Sequence, residues 1–216
     1  LKGLLDRFEK EGRPNLLENI AITWIRYDNQ TPSPYSGNGT GWNSNKNYYP
    51  ASIVKIVYAI ATQIWIIKDL IIDTDELRRA LYEMIANSNN DATSYILDLL
   101  TGTTSGPSLN EQNFEAWKIQ RQLINNWLEE LQWTELKDWN CSQKTWNEGP
   151  FGREKDFYGK KNENRNSMTT DGSARFFESL MTQEMLPKLT SEKLMKNFHR
   201  SLDPVTRKQD LENQVD

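Results

Sequence analysis

The chain is poor in soft metal ligands, with one cysteine, Cys141, and one histidine, His199. A single cysteine excludes an intrachain disulfide, and two soft side chains are too few for a zinc site. No metal or organic cofactor is expected. A Cys–His nucleophile pair would have to bring these two together, and nothing in the sequence around either supports it. Basic charge is also in deficit. Lys and Arg number 26 against 30 Asp and Glu, for a net charge of −4, so the basic footprint of a nucleic-acid binder is missing. Long apolar runs are lacking too. The most apolar stretch, Ile53 to Ile72, is broken by Lys55, Gln63, Lys68 and Asp69, short of the ~20 apolar residues of a membrane helix. The sequence opens at Leu1 without a methionine or a signal-like region. A processed or trimmed piece is therefore expected, and its compartment cannot be read directly.

What is present is a globular composition. The 216 residues include eight Trp, enough for one sizeable core, and no linker or repeat divides them, so a single domain over residues 1–216 is expected. Asn19 to Tyr27 is rich in β-branched and aromatic residues and reads as a strand, followed by an Asn/Gly/Ser/Pro loop with a short second strand near Gly41-Trp42. Helical spacing covers Leu1–Glu11, Ser52–Lys68, Asp73–Ile85, Asp91–Leu100, Phe114–Leu131, Thr170–Met181 and Ser191–Arg200. Asp73 with Glu76 reads as a capping box, and Gly102 as a C-terminal stop. Asn140 to Ser167 is a long polar stretch, and a loop that long inside a compact domain is usually functional. Asp203 to Asp216 is a polar tail.

Chemistry concentrates at Tyr49-Pro-Ala-Ser-Ile-Val-Lys55. Pro50 places Ser52 near a helix N-terminus. Residues three apart share a helix face, so the Lys55 amine can reach the Ser52 hydroxyl. The turns that follow are apolar nearly all round, as in a buried helix. Lys55 is then a charge planted in the core, where desolvation lowers its pKa and makes it a candidate general base. The helix N-terminus also offers N–H groups to a developing oxyanion. Ser-x-x-Lys spacing is common by chance, and the related Thr134/Lys137 and Thr190/Lys193 pairs lie on polar segments and carry no weight. A second feature is Ser88-Asn89-Asn90, in the break between two helices. Such a turn can aim a hydroxyl and an amide into one cleft, or it can simply cap the flanking helices.

Together the Ser52/Lys55 pair and the Ser88-x-Asn90 turn resemble the penicilloyl serine transferases, the group of class A β-lactamases, D-alanyl-D-alanine carboxypeptidases and penicillin-binding proteins. The stretch Met84 to Leu100 is similar to the class A pattern around the Ser-Asp-Asn loop, with Asn89 in place of the middle Asp. Arg165-Asn-Ser-Met-Thr-Thr-Asp-Gly-Ser-Ala-Arg175 resembles the end of the class A Ω-loop, where an Arg and a run of Thr open the next helix. The sequence is more similar to bacterial serine hydrolases of the β-lactamase-like group than to typical resistance enzymes.

The resemblance implies an α+β, β-lactamase/transpeptidase-like fold, mostly helical, with an antiparallel sheet. It implies an acyl-enzyme on Ser52, with Lys55 as base, Ser88 as proton relay and Asn90 as binder of the substrate amide. It also implies a glutamate that activates the deacylating water: Glu154 is the first candidate and Glu163 its competitor. With that residue in place a β-lactamase results; without it the acyl-enzyme should persist. The implied partner is a small molecule, a β-lactam or peptidoglycan-like amide, and the implied compartment is periplasmic or extracytoplasmic. The family's closing Lys-Thr-Gly strand is not found. Lys144-Thr145-Trp146 comes too early and lacks the Gly, and no apolar strand follows Arg200. The expectation is thus a truncated sequence with an incomplete sheet and impaired catalysis. Alternatives are a carboxypeptidase or esterase using the same serine, and a binding module that keeps the fold without the chemistry.

Overall fold

The computed structural model describes residues 1–206. An N-terminal helix, α1 (Lys2–Lys10), and a single turn, α2 (Leu16–Asn19), lead into two strands. Strand β1 (Ile22–Arg26) pairs antiparallel with β2 (Asn38–Trp42), Trp24 lying opposite Thr40. The second strand is longer than its Gly-rich sequence suggests, because β1 supplies the β-branched and aromatic residues for both.

The centre of the molecule is α3 (Lys55–Ile67), preceded by a 3₁₀ turn over Ala51–Val54. Every residue from Val54 to Thr62 is buried. Being apolar all round, α3 can be surrounded by other elements, and its apolar residues gain about 1.5–3 kcal/mol each from burial. Around it stand α4 (Asp75–Ala86), α5 (Asn90–Thr101), α6 (Glu111–Arg121) and α7 (Leu123–Glu130). The inward stripe of α4 is the one its spacing predicts: Leu77, Ala80, Leu81, Met84 and Ile85 are all buried. Its cap is not. Thr74, rather than Asp73, accepts from Leu77 N–H at 3.1 Å, while Asp73 pairs with Arg78. The expected single helix over Phe114–Leu131 is divided at Gln122, which ends α6 and opens α7.

The remaining helices are α8 (Gly152–Tyr158), α9 (Thr170–Met181) and α10 (Lys188–Phe198). The Trp-rich segment has a packing reason. Trp127, Trp133 and Trp139 converge on Phe176 of α9, with ring centroids 6.1, 5.3 and 5.7 Å away. Helix α9 is also tied to the sheet, since Thr23 Oγ1 donates to Asp171 at 2.6 Å and Tyr27 OH to Glu178 at 3.0 Å. No helix among the described residues is long and apolar enough to cross a membrane, and no group of three His, Cys, Asp or Glu among them could hold a metal. Part of the expected polar tail, residues 207–216, lies outside the described residues.

Candidate active site

Ser52 sits in the 3₁₀ turn and is exposed, while Lys55, one turn on, is 2% exposed. The short segment thus crosses from solvent to core within three residues. Ala51, immediately before the serine, has φ +46°, and Ser88 has φ +53°. Left-handed backbone in residues other than glycine is uncommon and tends to mark sites held by their surroundings. Ala51 and Ser88 are two of ten such residues among the described ones, and both adjoin the Ser52–Ser88 contact.

Lys55 Nζ makes three contacts, all with the turn between α4 and α5. It donates to Ser88 O, to Ser88 Oγ at 3.0 Å and to Asn90 Oδ1 at 2.9 Å. An ammonium has three donors, and all three are used. Ser88 Oγ in turn lies 2.9 Å from Ser52 Oγ. The turn is held open for this by local bonds: Asn89 caps α5 by accepting from Ala92 N–H, and Asn89 N–H reaches Glu83 O. Asn89, not Asp91, is the cap, so capping and cleft chemistry are divided between neighbouring residues of one turn. No carboxylate pairs with Lys55 among the described residues. Burial alone pushes its amine down from 10.5 to about 8.

The polar stretch Asn140–Ser167 forms the other wall. Its two ends meet at a bridge between Asn140 and Ser167, and Met168 pairs with Tyr48, just ahead of the serine turn. Asn166 holds the near side of the stretch. Its Oδ1 accepts from Ser142 N–H at 3.1 Å and Gln143 N–H at 2.9 Å, and its Nδ2 donates to Gln143 O at 2.9 Å. From this anchored backbone Thr145 Oγ1 donates to Asn90 Oδ1 at 2.7 Å, and Asn147 Oδ1 accepts from Asn90 Nδ2 at 2.6 Å.

Glu154 is placed elsewhere. It is fully buried on α8, 2.5 Å from Arg121, and accepts from Ser105 Oγ at 2.9 Å. Lys144 stands 3.6 Å from it and 2.7 Å from Asp98, and Arg121 is 3.4 Å from Asp98. Two cations and two carboxylates form one buried, formally neutral cluster. Burial raises the Asp98 carboxyl, an effect opposed by Lys144 and Arg121. Burial lowers the Arg121 guanidinium, opposed by Glu154 and Asp98. The structure therefore brings Ser52, Lys55, Ser88 and Asn90 together and gives Glu154 no hydrogen bond to any of them. Glu163, the competing carboxylate, is exposed and accepts from Lys161 N–H.

Thr145 and Asn147 were not singled out by the sequence. The one signal pointing to them was the length of the polar stretch that carries them. Lys144 and Thr145, set aside as a misplaced strand motif, turn out to serve from a different direction: Lys144 pins the segment from below and Thr145 faces the site.

No protein-family model and no curated protein matches the sequence. Among solved structures, the chain is similar to a β-lactamase from Sphaerobacter thermophilus DSM 20745. The TM-score is 0.59 at 16% identity, over 88% of this chain and 68% of that one. At such identity the likeness speaks for the fold, and the chain has a mostly helical, β-lactamase-like fold with a two-stranded antiparallel sheet.

Proposed function

We propose that this protein is a serine acyl-transfer enzyme in which Ser52 attacks the carbonyl of a β-lactam or related amide. The carrying observation is the chain of contacts Ser52 Oγ–Ser88 Oγ–Lys55 Nζ, at 2.9 and 3.0 Å, ending on a buried amine.

Hydroxyl hydrogens rotate, so this chain can run in either direction. With Lys55 protonated, the amine donates to Ser88 and Ser88 donates to Ser52. With Lys55 neutral, the order reverses: Ser52 donates to Ser88, and Ser88 to the amine lone pair. The remaining two N–H groups then still serve Ser88 O and Asn90 Oδ1. As Ser52 Oγ bonds to the carbonyl carbon, its proton passes to Ser88 and the Ser88 proton to Lys55. When the C–N bond breaks, Ser88 delivers a proton to the leaving nitrogen and recovers one from Lys55. A pKa of about 8 leaves roughly one amine in ten neutral near pH 7. The sequence expectation that the Lys55 amine reaches the Ser52 hydroxyl is thereby replaced in this reading by a transfer through Ser88.

Ser52 N–H has no hydrogen-bond partner among the described residues, which suits it to one half of an oxyanion hole. In this reading Asn90, whose oxygen already accepts from Lys55 and Thr145, meets a substrate amide with its remaining N–H. Glu154 serves in this reading as a structural anchor. Freeing it would break a buried ion pair, at a cost of ~3–5 kcal/mol.

The test is intact-mass analysis after incubation with a fluorescent penicillin. One acyl adduct is expected, mapping to Ser52 and absent from Ser52→Ala. Equal labelling of the two proteins would refute the assignment. No adduct on either would favour a binding module or an enzyme of another substrate class.

A further inference from the structure

Asn90 Oδ1 accepts two bonds, from Lys55 Nζ at 2.9 Å and from Thr145 Oγ1 at 2.7 Å. Their directions are forced. An ammonium only donates, so the Asn90 atom that faces Lys55 is the amide oxygen, and a hydroxyl bonded to that oxygen must donate to it. The Thr145 proton is therefore committed to Asn90. Thr145 Oγ1 has no other partner among the described residues, and the residue is only 6% exposed.

The hydroxyl is held there by its neighbours in the chain. Lys144 donates to Asp98 at 2.7 Å and to Ser105 Oγ at 2.8 Å, while Asn166 fixes the backbone of residues 142 and 143. Asp98 and Asn90 both belong to α5. Residues 144 and 145 are thus pinned to one helix at two points, eight residues or ~12 Å apart along its axis.

The contact bears on Lys55. Hydrogen bonds to the charged form of a group favour that form, and the Lys55 ammonium is met by Ser88 O, Ser88 Oγ and Asn90 Oδ1. The Thr145 hydroxyl draws on the accepting power of the third of these and turns its positive end toward the same oxygen. Both effects weigh more against the protonated amine than against the neutral one, because bonds from a charged donor are about twice as strong. An Asn90 oxygen left to Lys55 alone would hold the proton on the amine more firmly.

We propose that Thr145 is a positioning residue of the acyl-transfer site: by donating to Asn90 Oδ1 it loosens the hold of Asn90 on the Lys55 proton and keeps more of the amine ready to take a proton from Ser52 through Ser88. The role rests on the acyl-transfer reading above and goes beyond it, since Thr145 hydrogen-bonds to none of Ser52, Lys55 and Ser88.

The experiment follows the rate of Ser52 labelling by a fluorescent penicillin from pH 6 to 9.5 in the full chain, for the parent, Thr145→Val and Thr145→Ser. Valine keeps the shape of threonine and removes the hydroxyl, which serine restores. The Thr145→Val profile is expected to move up by roughly half a pH unit, so that labelling slows about threefold near pH 7 and approaches the parent rate above pH 9. Thr145→Ser should follow the parent. A Thr145→Val profile that stays in place or moves down overturns the proposal, and so does a Thr145→Ser profile that moves as far as the valine one. An equal loss of rate at every pH, the mark of a merely structural role, overturns it as well. Thr145→Ala carries the same expectation and replaces Thr145→Val if thermal unfolding shows that variant to be unfolded. A labelled parent with unmoved variants brings down this proposal alone, whereas a parent with no Ser52 adduct brings down the acyl-transfer reading and the role of Thr145 with it.

Discussion

Replacing Glu154 with glutamine separates a structural carboxylate from a catalytic one. In the folded chain Glu154 is fully buried and holds Arg121, itself fully buried, at 2.5 Å. Arg121 has little else: Asp98 lies 3.4 Å away, and its Nε and Nη1 have no partner. The indole of Trp117 contributes a cation–π contact at 4.6 Å, which does not neutralise charge. Glu154→Gln leaves two buried cations facing one carboxylate. Removing one member of a buried pair costs about 3–5 kcal/mol, because the surviving charge stays desolvated. For a domain of this size each kcal/mol moves Tm by roughly 2–4 °C, so Tm should fall by about 6–20 °C. The assay is thermal unfolding of parent and variant, with the lifetime of the penicillin adduct measured alongside below both transitions. That lifetime should be unchanged. A double replacement, Arg121→Met with Glu154→Leu, should recover much of the loss, since no orphaned charge then remains in that pair. The reasoning is refuted if Glu154→Gln melts with the parent and its adduct persists longer. That outcome would return Glu154 to the role of water activator.

Three further predictions rest on Lys55 and on the glycine that opens α8. In the proposed mechanism the neutral amine is the reactive form of Lys55, so the rate of Ser52 acylation should rise with pH and level off, with an apparent pKa near 8. A flat profile between pH 6 and 9 would exclude Lys55 as the base. The same shift has a sign for stability: the folded amine binds its proton less tightly than the unfolded one, so this group's contribution to stability rises between about pH 8 and 10.5. Gly152 opens α8 at φ +51°, and a Cβ there would lie 2.1 Å from Gly106 O. Gly152→Ala should cost about 2 kcal/mol or more, seen as a fall in Tm, because a backbone clash adds to left-handed strain. Gly102, with φ +64° and nothing within 4 Å of its would-be Cβ, is the control. Gly102→Ala should cost only ~1 kcal/mol.

Residues whose meaning is set by near neighbours were legible in the sequence. The buried helix α3 follows from its composition, and the inward stripe of α4 from its period. The span Thr170–Met181 was read to the residue, because an apolar stripe opened by a threonine cap leaves little choice. Errors arose where two readings were locally equivalent. Asp73 and Thr74 are both good caps, and a one-residue shift in where the helix begins selects between them. Phe114–Leu131 is amphipathic throughout, and its spacing gives no sign of the break at Gln122. The helix α8 was invisible because it is short and mostly polar, and its anchors, the Glu154–Arg121 pair and Phe157 on Trp117, are made with residues distant in sequence.

The sequence by itself determined the Ser52/Lys55 pairing on one helical start and the Ser88–Asn90 turn. Ser52 and Lys55 lie three residues apart on one helical start, and a lysine among apolar turns must be desolvated wherever that helix packs. Ser88 and Asn90 are likewise two residues apart in one turn. Only the tertiary structure decided how the four connect, since residues 52 and 88 meet through packing of α3 on α5 and not through spacing. It also decided which member of the polar stretch faces Asn90. Asn147 stands at the cleft and Glu154 beneath it because a buried carboxylate needs cationic partners, and Arg121 and Lys144 lie on that side. Desolvation and charge pairing act through space, across a fold in which residue 121 meets residue 154, and no local pattern in the sequence records that meeting.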